Sequence, residues 1–299
     1  MKQKSARTEL TDFCVFILTN KRPDNVKTVD TFKEFGYTGD WYLVVDDKDP
    51  TIDKYIENFG LEKIKIFSKA EVYKHMDMFD NFEENEQNVG SPVYARNACY
   101  DIAEELGVRY FCVFDDDYTE YQFRYESLDG EHLRACDVDD MDSIFCALLD
   151  FLDCSDRIKT VALAQNGDFI GGIDGGKFKK GVLRKAMNSF VCDTHKRIEF
   201  CSRFNDDVST YVRYGKMGDL FYSYCGVTVH QTETQQNKKG GISENYLNYG
   251  TYVKSFYTVL ECPSAVKVGI MMSKYWRMHH KIKEEVAYPK VVSGRYKKQ

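Results

Sequence analysis

The first half of the chain alternates short apolar runs with stretches of helical spacing. Phe13–Leu18 (FCVFIL) predicts a buried strand. After Pro23, the residues Val26, Val29, Phe32 and Phe35 recur at three-residue steps with Asp30 and Lys33 between them, which predicts a helix ending at Gly36. A second strand is predicted over Trp41–Val45, a helix over Ile52–Phe59 that stops at Gly60, and a third strand over Ile64–Phe67. Val93–Leu106 keeps helical periodicity up to Gly107, and Tyr110–Phe114 predicts a fourth strand. Short apolar strands alternating with helices predict βαβ units and an α/β fold, its mainly parallel central sheet flanked by helices.

The second half is less regular. A helix is predicted over Met141–Leu152, a strand over Thr160–Ala164, a short helix over Val208–Tyr214 and a strand over Phe221–Val229 that ends at His230. Residues 231–245 are polar with a Gly-Gly pair and predict a loop. The pattern divides the chain into one large domain over 1–262 and a basic extension over 263–299.

Charge sharpens that division. The net charge of −6 argues against a general nucleic-acid coat protein. Residues 115–156 nevertheless hold fourteen acids and two bases, whereas 264–299 hold nine bases and two acids. By charge pattern alone that basic tail reads as a solvated helix face with a frayed end. None of the ten cysteines forms a Cys-x-x-Cys pair, so a zinc ribbon is not expected. Cys14 and Cys112 sit in apolar runs, where a free thiol acts as a small hydrophobe. The N-terminal MKQKSARTELTD lacks a signal-peptide core, and no apolar run reaches roughly 18 residues. These features predict a cytoplasmic protein.

Two apolar strands end in acids: Asp46-Asp47, and Asp115-Asp116-Asp117. Ligands of open α/β sheets bind beyond the carboxyl ends of the strands. The two-residue period of a strand turns Asp115 and Asp117 to one side and Asp116 to the other. Paired carboxylates suit Mg2+ or Mn2+, which also share substrate phosphates. Taken alone, the cluster is also compatible with a solvated acidic turn.

In order along the chain, these motifs resemble those of GT-A fold glycosyltransferases over roughly 13–230. VVDDKDPT (44–51) resembles the strand end whose Asp contacts the nucleotide base, a role that falls on Asp46. GSPVYARNACYDIA (90–103) resembles the glycine loop and Arg-Asn helix of the donor site, mapping to Gly90, Arg96 and Asn97. YFCVFDDD resembles the metal motif, with Asp115 and Asp117 as ligands and Asp116 on the donor side. FNDDV (204–208) resembles the turn carrying the general base, with Asp207 aligned to the base and Asp206 to the acid before it. The family's usual Glu-Asp is here Asp-Asp, which leaves open which carboxylate is the base. His230 resembles the histidine that completes the metal site.

TNKRPDNV, the YTEYQFRY that follows the acidic triplet, and the Lys-Lys-Gly-Gly loop resemble more narrowly the TET/JBP-associated glycosyltransferases, encoded largely by bacteriophages and linked to DNA hypermodification. That resemblance implies metal-dependent transfer from a UDP-sugar to 5-hydroxymethylcytosine, or another hydroxymethylpyrimidine, in double-stranded DNA. Thr19 and Arg22 are then expected at the nucleotide, and Lys238 and Lys239 over its phosphates. Tyr118, with Tyr121 and Tyr125, is expected to stack on an extruded base, and Lys281 and Lys283 to meet the DNA backbone. Two other readings use the same acids: a transferase acting on a saccharide, lipid or protein, and a nucleotidyltransferase that releases pyrophosphate.

Overall fold

A computed structural model describes residues 6–76, 91–175, 177–232, 253–272 and 276–289. Strand β1 (Phe13–Leu18) is buried along its whole length. Its odd residues Phe13, Val15 and Ile17 enter one core, and its even residues Cys14, Phe16 and Leu18 enter another. A continuous apolar run is what a strand covered on both faces requires. β2 (Asp40–Asp46) and β4 (Tyr110–Asp115) flank β1, both parallel to it, and β3 (Ile64–Phe67) lies parallel beyond β2. The first core takes residues from α1 (Lys27–Glu34), α2 (Ile52–Phe59) and α5 (Met141–Leu152). The second takes residues from α4 (Val93–Leu106) and α6 (Asp206–Lys216), with α3 (Lys69–Lys74) at its margin.

Beyond β4 the sheet continues through β9 (Phe190–Asp193), β7 (Ile158–Gln165), β10 (Leu220–Gln231), β5 (Tyr118–Glu126) and β6 (Leu133–Asp137), while β8 (Val182–Leu183) also pairs with β10. Pairing directions make β1, β2, β3, β4, β6, β7 and β10 co-directional and β5, β8 and β9 opposed. The sheet is thus mainly parallel, and Leu18, Asp46, Asp115, Gln165 and Gln231 end their strands along one edge.

α2, α4 and α5 have the predicted bounds. α4 ends because Gly107 turns left-handed at φ 68°, which glycine adopts without a steric penalty. α5 starts where the Asp140 side chain accepts a bond from the Ser143 amide at 2.9 Å.

One element is added to those predicted, and one expectation is corrected. YTEYQFRY is a strand, β5, so the acidic triplet occupies a tight β4–β5 turn. The basic tail is not a helix face. Its described part is an antiparallel hairpin of β11 (Val266–Met272) and β12 (Trp276–Ile282), set beside α7 (Val253–Glu261) and followed by α8 (Glu284–Ala287). Cys262, Ala265, Val266 and Ala287 bury their side chains in the second core, so this segment is packed against α6. Eight of the ten free cysteines are buried; Cys136 and Cys154 are exposed. Among the described residues, no helix is long and apolar enough to cross a membrane.

Candidate active site

The β4–β5 turn sends its three carboxylates in different directions. Asp115 faces α4, where Arg96 Nη2 lies 3.7 Å from its Oδ1. Asp116 is buried on the opposite side, accepting from Thr19 Oγ1 at 2.8 Å and Arg22 Nη1 at 3.1 Å. Asp117 reaches β10's end, accepting from Thr232 Oγ1 at 2.7 Å. Loss of solvent pushes Asp115 up to about 7 against the pull of Arg96, with further upward pressure from Asp117, Asp116 and Asp206. Such a charge conflict is what a hard divalent cation relieves, and the carboxylate oxygens of Asp115 and Asp117 are suitable donors for one.

Arg96 links this turn to the second acidic motif. It is 3% exposed and lies against the rings of Phe190 and Phe200, 4.9 and 5.9 Å from their centroids. Its Nη1 forms a close ion pair with Asp206 Oδ2. Asp206 and Asp207 open α6, and both are buried. Burial, opposed by Arg96 and reinforced by Asp207, raises Asp206 to about 6. Asp207 is held differently: its Oδ1 accepts from the Val208 amide at 2.7 Å, at the positive end of the helix. One carboxylate is therefore engaged by a buried cation, while its neighbour receives backbone hydrogen bonding from its own helix.

The β1 and β2 ends form a polar shelf beside the turn. Thr19 Oγ1 lies 2.8 Å from Tyr55 Oη, which accepts from the Arg22 amide at 2.9 Å. Lys69 Nζ sits 3.1 Å from Asp46 Oδ2, while Asp46 Oδ1 is buried without a hydrogen-bond partner. Asp49, which sequence reasoning passed over, ties the shelf together: it accepts from the Lys21 amide at 2.7 Å, the Thr51 amide at 2.8 Å and Thr51 Oγ1 at 2.7 Å. The Asp-x-Thr spacing before α2 is the signal that identifies such a turn. Tyr55, Lys69 and Thr232 carry no comparable local signal.

Other expected residues lie elsewhere or have other partners. His230 Nδ1 is 2.9 Å from Asn166 Nδ2 and 3.4 Å from Glu120 Oε2, and its Nε2 is buried without a partner. Burial lowers its pKa against the opposing pull of Glu120, which favours the neutral imidazole that metal ligation requires. The candidate ligand atoms of Asp115, Asp117 and His230 are not gathered within 4.8 Å of one another; among the described residues only the exposed Asp129, Glu131 and His132 are. Holding one cation with all three therefore requires the turn or the ring to move. Tyr118 and Tyr121, expected at the acceptor, are fully buried under the sheet, because β5 turns both into the first core. Tyr125 is exposed. Gly90, Lys238 and Lys239 lie outside the described residues.

Asn97, expected at the donor, instead clamps the chain ahead of α6. Its Nδ2 donates to the Phe200 carbonyl at 2.9 Å, and its Oδ1 accepts from the Phe200 amide at 2.8 Å. Asn97→Ala would strand both buried backbone groups, at roughly 1–3 kcal/mol for each. Thermal melting should show a clear fall in Tm with donor affinity little changed. Weakened donor binding at an unchanged Tm would return Asn97 to the donor site.

The family model described as TET-Associated Glycosyltransferase matches residues 13–241. No curated protein matches the chain in sequence. Among solved structures, a glucosyl-3-phosphoglycerate synthase from Mycobacterium tuberculosis, in complex with Mn2+, UDP and phosphoglyceric acid, is 8% identical, with 90% of this chain and 86% of that one covered at a TM-score of 0.42. A mannosyltransferase from Pyrobaculum calidifontis in complex with GDP-Man and Mn2+ is 12% identical, with 79% of this chain and 62% of that one covered at a TM-score of 0.45. Likenesses this distant transfer no residue roles.

Proposed function

Because the chain belongs to the TET-associated glycosyltransferase family, we propose that this glycosyltransferase moves a sugar from a UDP-sugar to the hydroxymethyl group of 5-hydroxymethylcytosine, or a related pyrimidine, in double-stranded DNA, with inversion. One observation carries the reading: Arg96 lies between Asp115 of the acidic turn and Asp206 of the acid pair, so the two motifs adjoin at one sheet edge. Transfer to a hydroxyl needs that adjacency, since the departing diphosphate and the attacking oxygen meet at one carbon.

The buried, unpartnered Asp46 Oδ1 suits an N–H of the nucleotide base. Thr19 and Arg22, fixed by Asp116 and Tyr55, shape the wall beside it. Mg2+ or Mn2+ held by Asp115 and Asp117, with His230 as a third ligand, would stabilise negative charge on the leaving nucleotide. Asp207 accepts the proton of the acceptor hydroxyl as that oxygen bonds to the anomeric carbon and the bond to the diphosphate breaks. Asp206, engaged by Arg96, orients the pair.

The hairpin supports a polyanionic acceptor. Lys267 and Lys281 stand directly opposite each other across β11 and β12, an unfavourable placement that phosphate between them offsets. Lys281 and Lys283 are exposed, as are Ile270, Met272, Trp276 and Met278. A basic ribbon with an apolar tip suits a nucleic-acid groove. In this reading 1–262 is the catalytic unit, 263–299 contributes the acceptor surface, and the reaction runs in the cytoplasm of a phage-infected cell.

Incubation with Mn2+, a UDP-sugar and hydroxymethylated duplex DNA, followed by mass spectrometry of nucleosides, should show an added sugar. Transfer to free saccharides with none to DNA would assign the other acceptor class. Removing Lys281 and Lys283 together should raise the KM for DNA and flatten its log–log salt dependence by up to about 1.8, at about 0.9 per lost phosphate contact. The donor KM should not move. An equal change in both constants would mean that the lysines serve the fold.

A further inference from the structure

We propose that His280 on β12 is a positioning residue for the acid pair, acting through Asn205; this rests on the reading of Asp207 as the base. Asn205 immediately precedes Asp206 and Asp207 and is left-handed, at φ 51° and ψ 40°. Asparagine is among the few residues that adopt this conformation when its short amide finds hydrogen-bond partners. An asparagine at a helix start usually turns its side chain back to cap the first amides. Here it makes no such bond. Its Nδ2 instead donates to the Lys254 carbonyl at 2.7 Å and lies 3.2 Å from His280 Nδ1, with Thr258 Oγ1 at 3.4 Å.

The chemistry of the pair is consistent. An amide nitrogen has two hydrogens, and the Lys254 carbonyl takes one. The second is matched when His280 is neutral, with its own proton on Nε2 and its Nδ1 lone pair facing Asn205. Burial, together with neighbouring His279 and Lys254, lowers His280 to about 4, so the ring is neutral at ordinary pH. On the helix side the Asn205 carbonyl accepts from the Ser209 amide at 2.8 Å. One residue earlier, Phe204 is fully buried, its ring 4.9 Å from that of Tyr257 on α7. The turn that delivers Asp206 and Asp207 is thus gripped from outside by α7 and β12. The C-terminal segment sets the direction of the base as well as offering a surface to the acceptor.

Two substitutions separate positioning from bulk. His280→Asn puts an acceptor oxygen near the position of Nδ1, whereas His280→Gln carries its amide out toward the position of Nε2. With UDP-sugar, Mn2+ and hydroxymethylated DNA, His280→Gln should lose roughly 10- to 100-fold in kcat at an unchanged donor KM, the range expected for about an ångström of misplacement. His280→Asn should retain most of the rate. Asn205→Gly, which accepts the left-handed backbone without the amide, should show the same kcat loss at near-native Tm. A second measurement needs no acceptor: amide NMR resonances of Asp206, Asp207 and Val208 should move in His280→Gln and stay in His280→Asn. Equal behaviour of the two histidine variants, in rate or in spectrum, overturns the proposal. Full transfer by Asp207→Asn would overturn the base assignment instead, and leave the NMR result to decide the clamp.

Discussion

Asp117→Ala and Asp115→Ala should each reduce sugar transfer by roughly a thousandfold or more, the equivalent of about 4 kcal/mol of transition-state stabilisation by a bound cation. Chelation with EDTA should do the same to the unmodified protein, and Mn2+ or Mg2+ should restore it. The expectation comes from the turn itself. Three consecutive carboxylates stand at one strand end, and Asp116 alone is fully engaged by Thr19 and Arg22. Asp115 is pushed up to about 7 because burial and its neighbours outweigh Arg96. His230→Ala should have a smaller effect, since two carboxylate ligands remain. Asp116→Ala should behave differently, lowering Tm by removing the buried acceptor that Arg22 and Thr19 share. Undiminished transfer in EDTA would remove the metal from the mechanism.

Asp206 and Asp207 should part company when each is changed to Asn. Asp207→Asn should keep its fold and bind UDP-sugar, yet lose about 10²- to 10⁴-fold in kcat, the usual contribution of a general base. Asp206→Asn removes the charged partner of a buried guanidinium, and breaking a buried pair costs about 3–5 kcal/mol. Its first sign should therefore be a lower melting temperature, with kcat reduced because Arg96 is released. The two predictions are separable by calorimetry and single-turnover kinetics on the same preparations. A stable, inactive Asp206→Asn beside an active Asp207→Asn would exchange the roles.

The acids at the strand ends were legible because each sits where an apolar run stops. Asp46 and Asp115 end strands whose neighbours are all apolar, and a strand buried on both faces shows in sequence without alternation. The helices α2, α4 and α5 were equally legible, because each ends against a glycine, a cap or a short polar break. β5 was not, because YTEYQFRYE mixes aromatics with charge at no clean period. The hairpin was hidden by lysines and histidines that suggest a solvated helix while lying on a two-stranded ribbon. Partnerships were the least legible. Nothing in local spacing says that Asn97 bonds the backbone of Phe200, 103 residues on, or that Arg96 chooses Asp206, 110 residues on. Those pairings are set by which strands the sheet brings together.

The sheet order has a consequence for synthesis on the ribosome. β5, which begins directly after Asp117, finds its main partner in β10, and Asp117 meets Thr232 only 115 residues later in the chain. At translation rates of roughly 5–20 residues per second, the acidic turn waits about 6–23 s between emerging and acquiring its last neighbour. β1 and β2, whose ends form the polar shelf, and their neighbours β3 and β4 contact one another well before then. A nascent chain stalled ahead of β10 therefore holds the polar shelf complete, and an acidic turn whose Asp117 still lacks its partner on the far side.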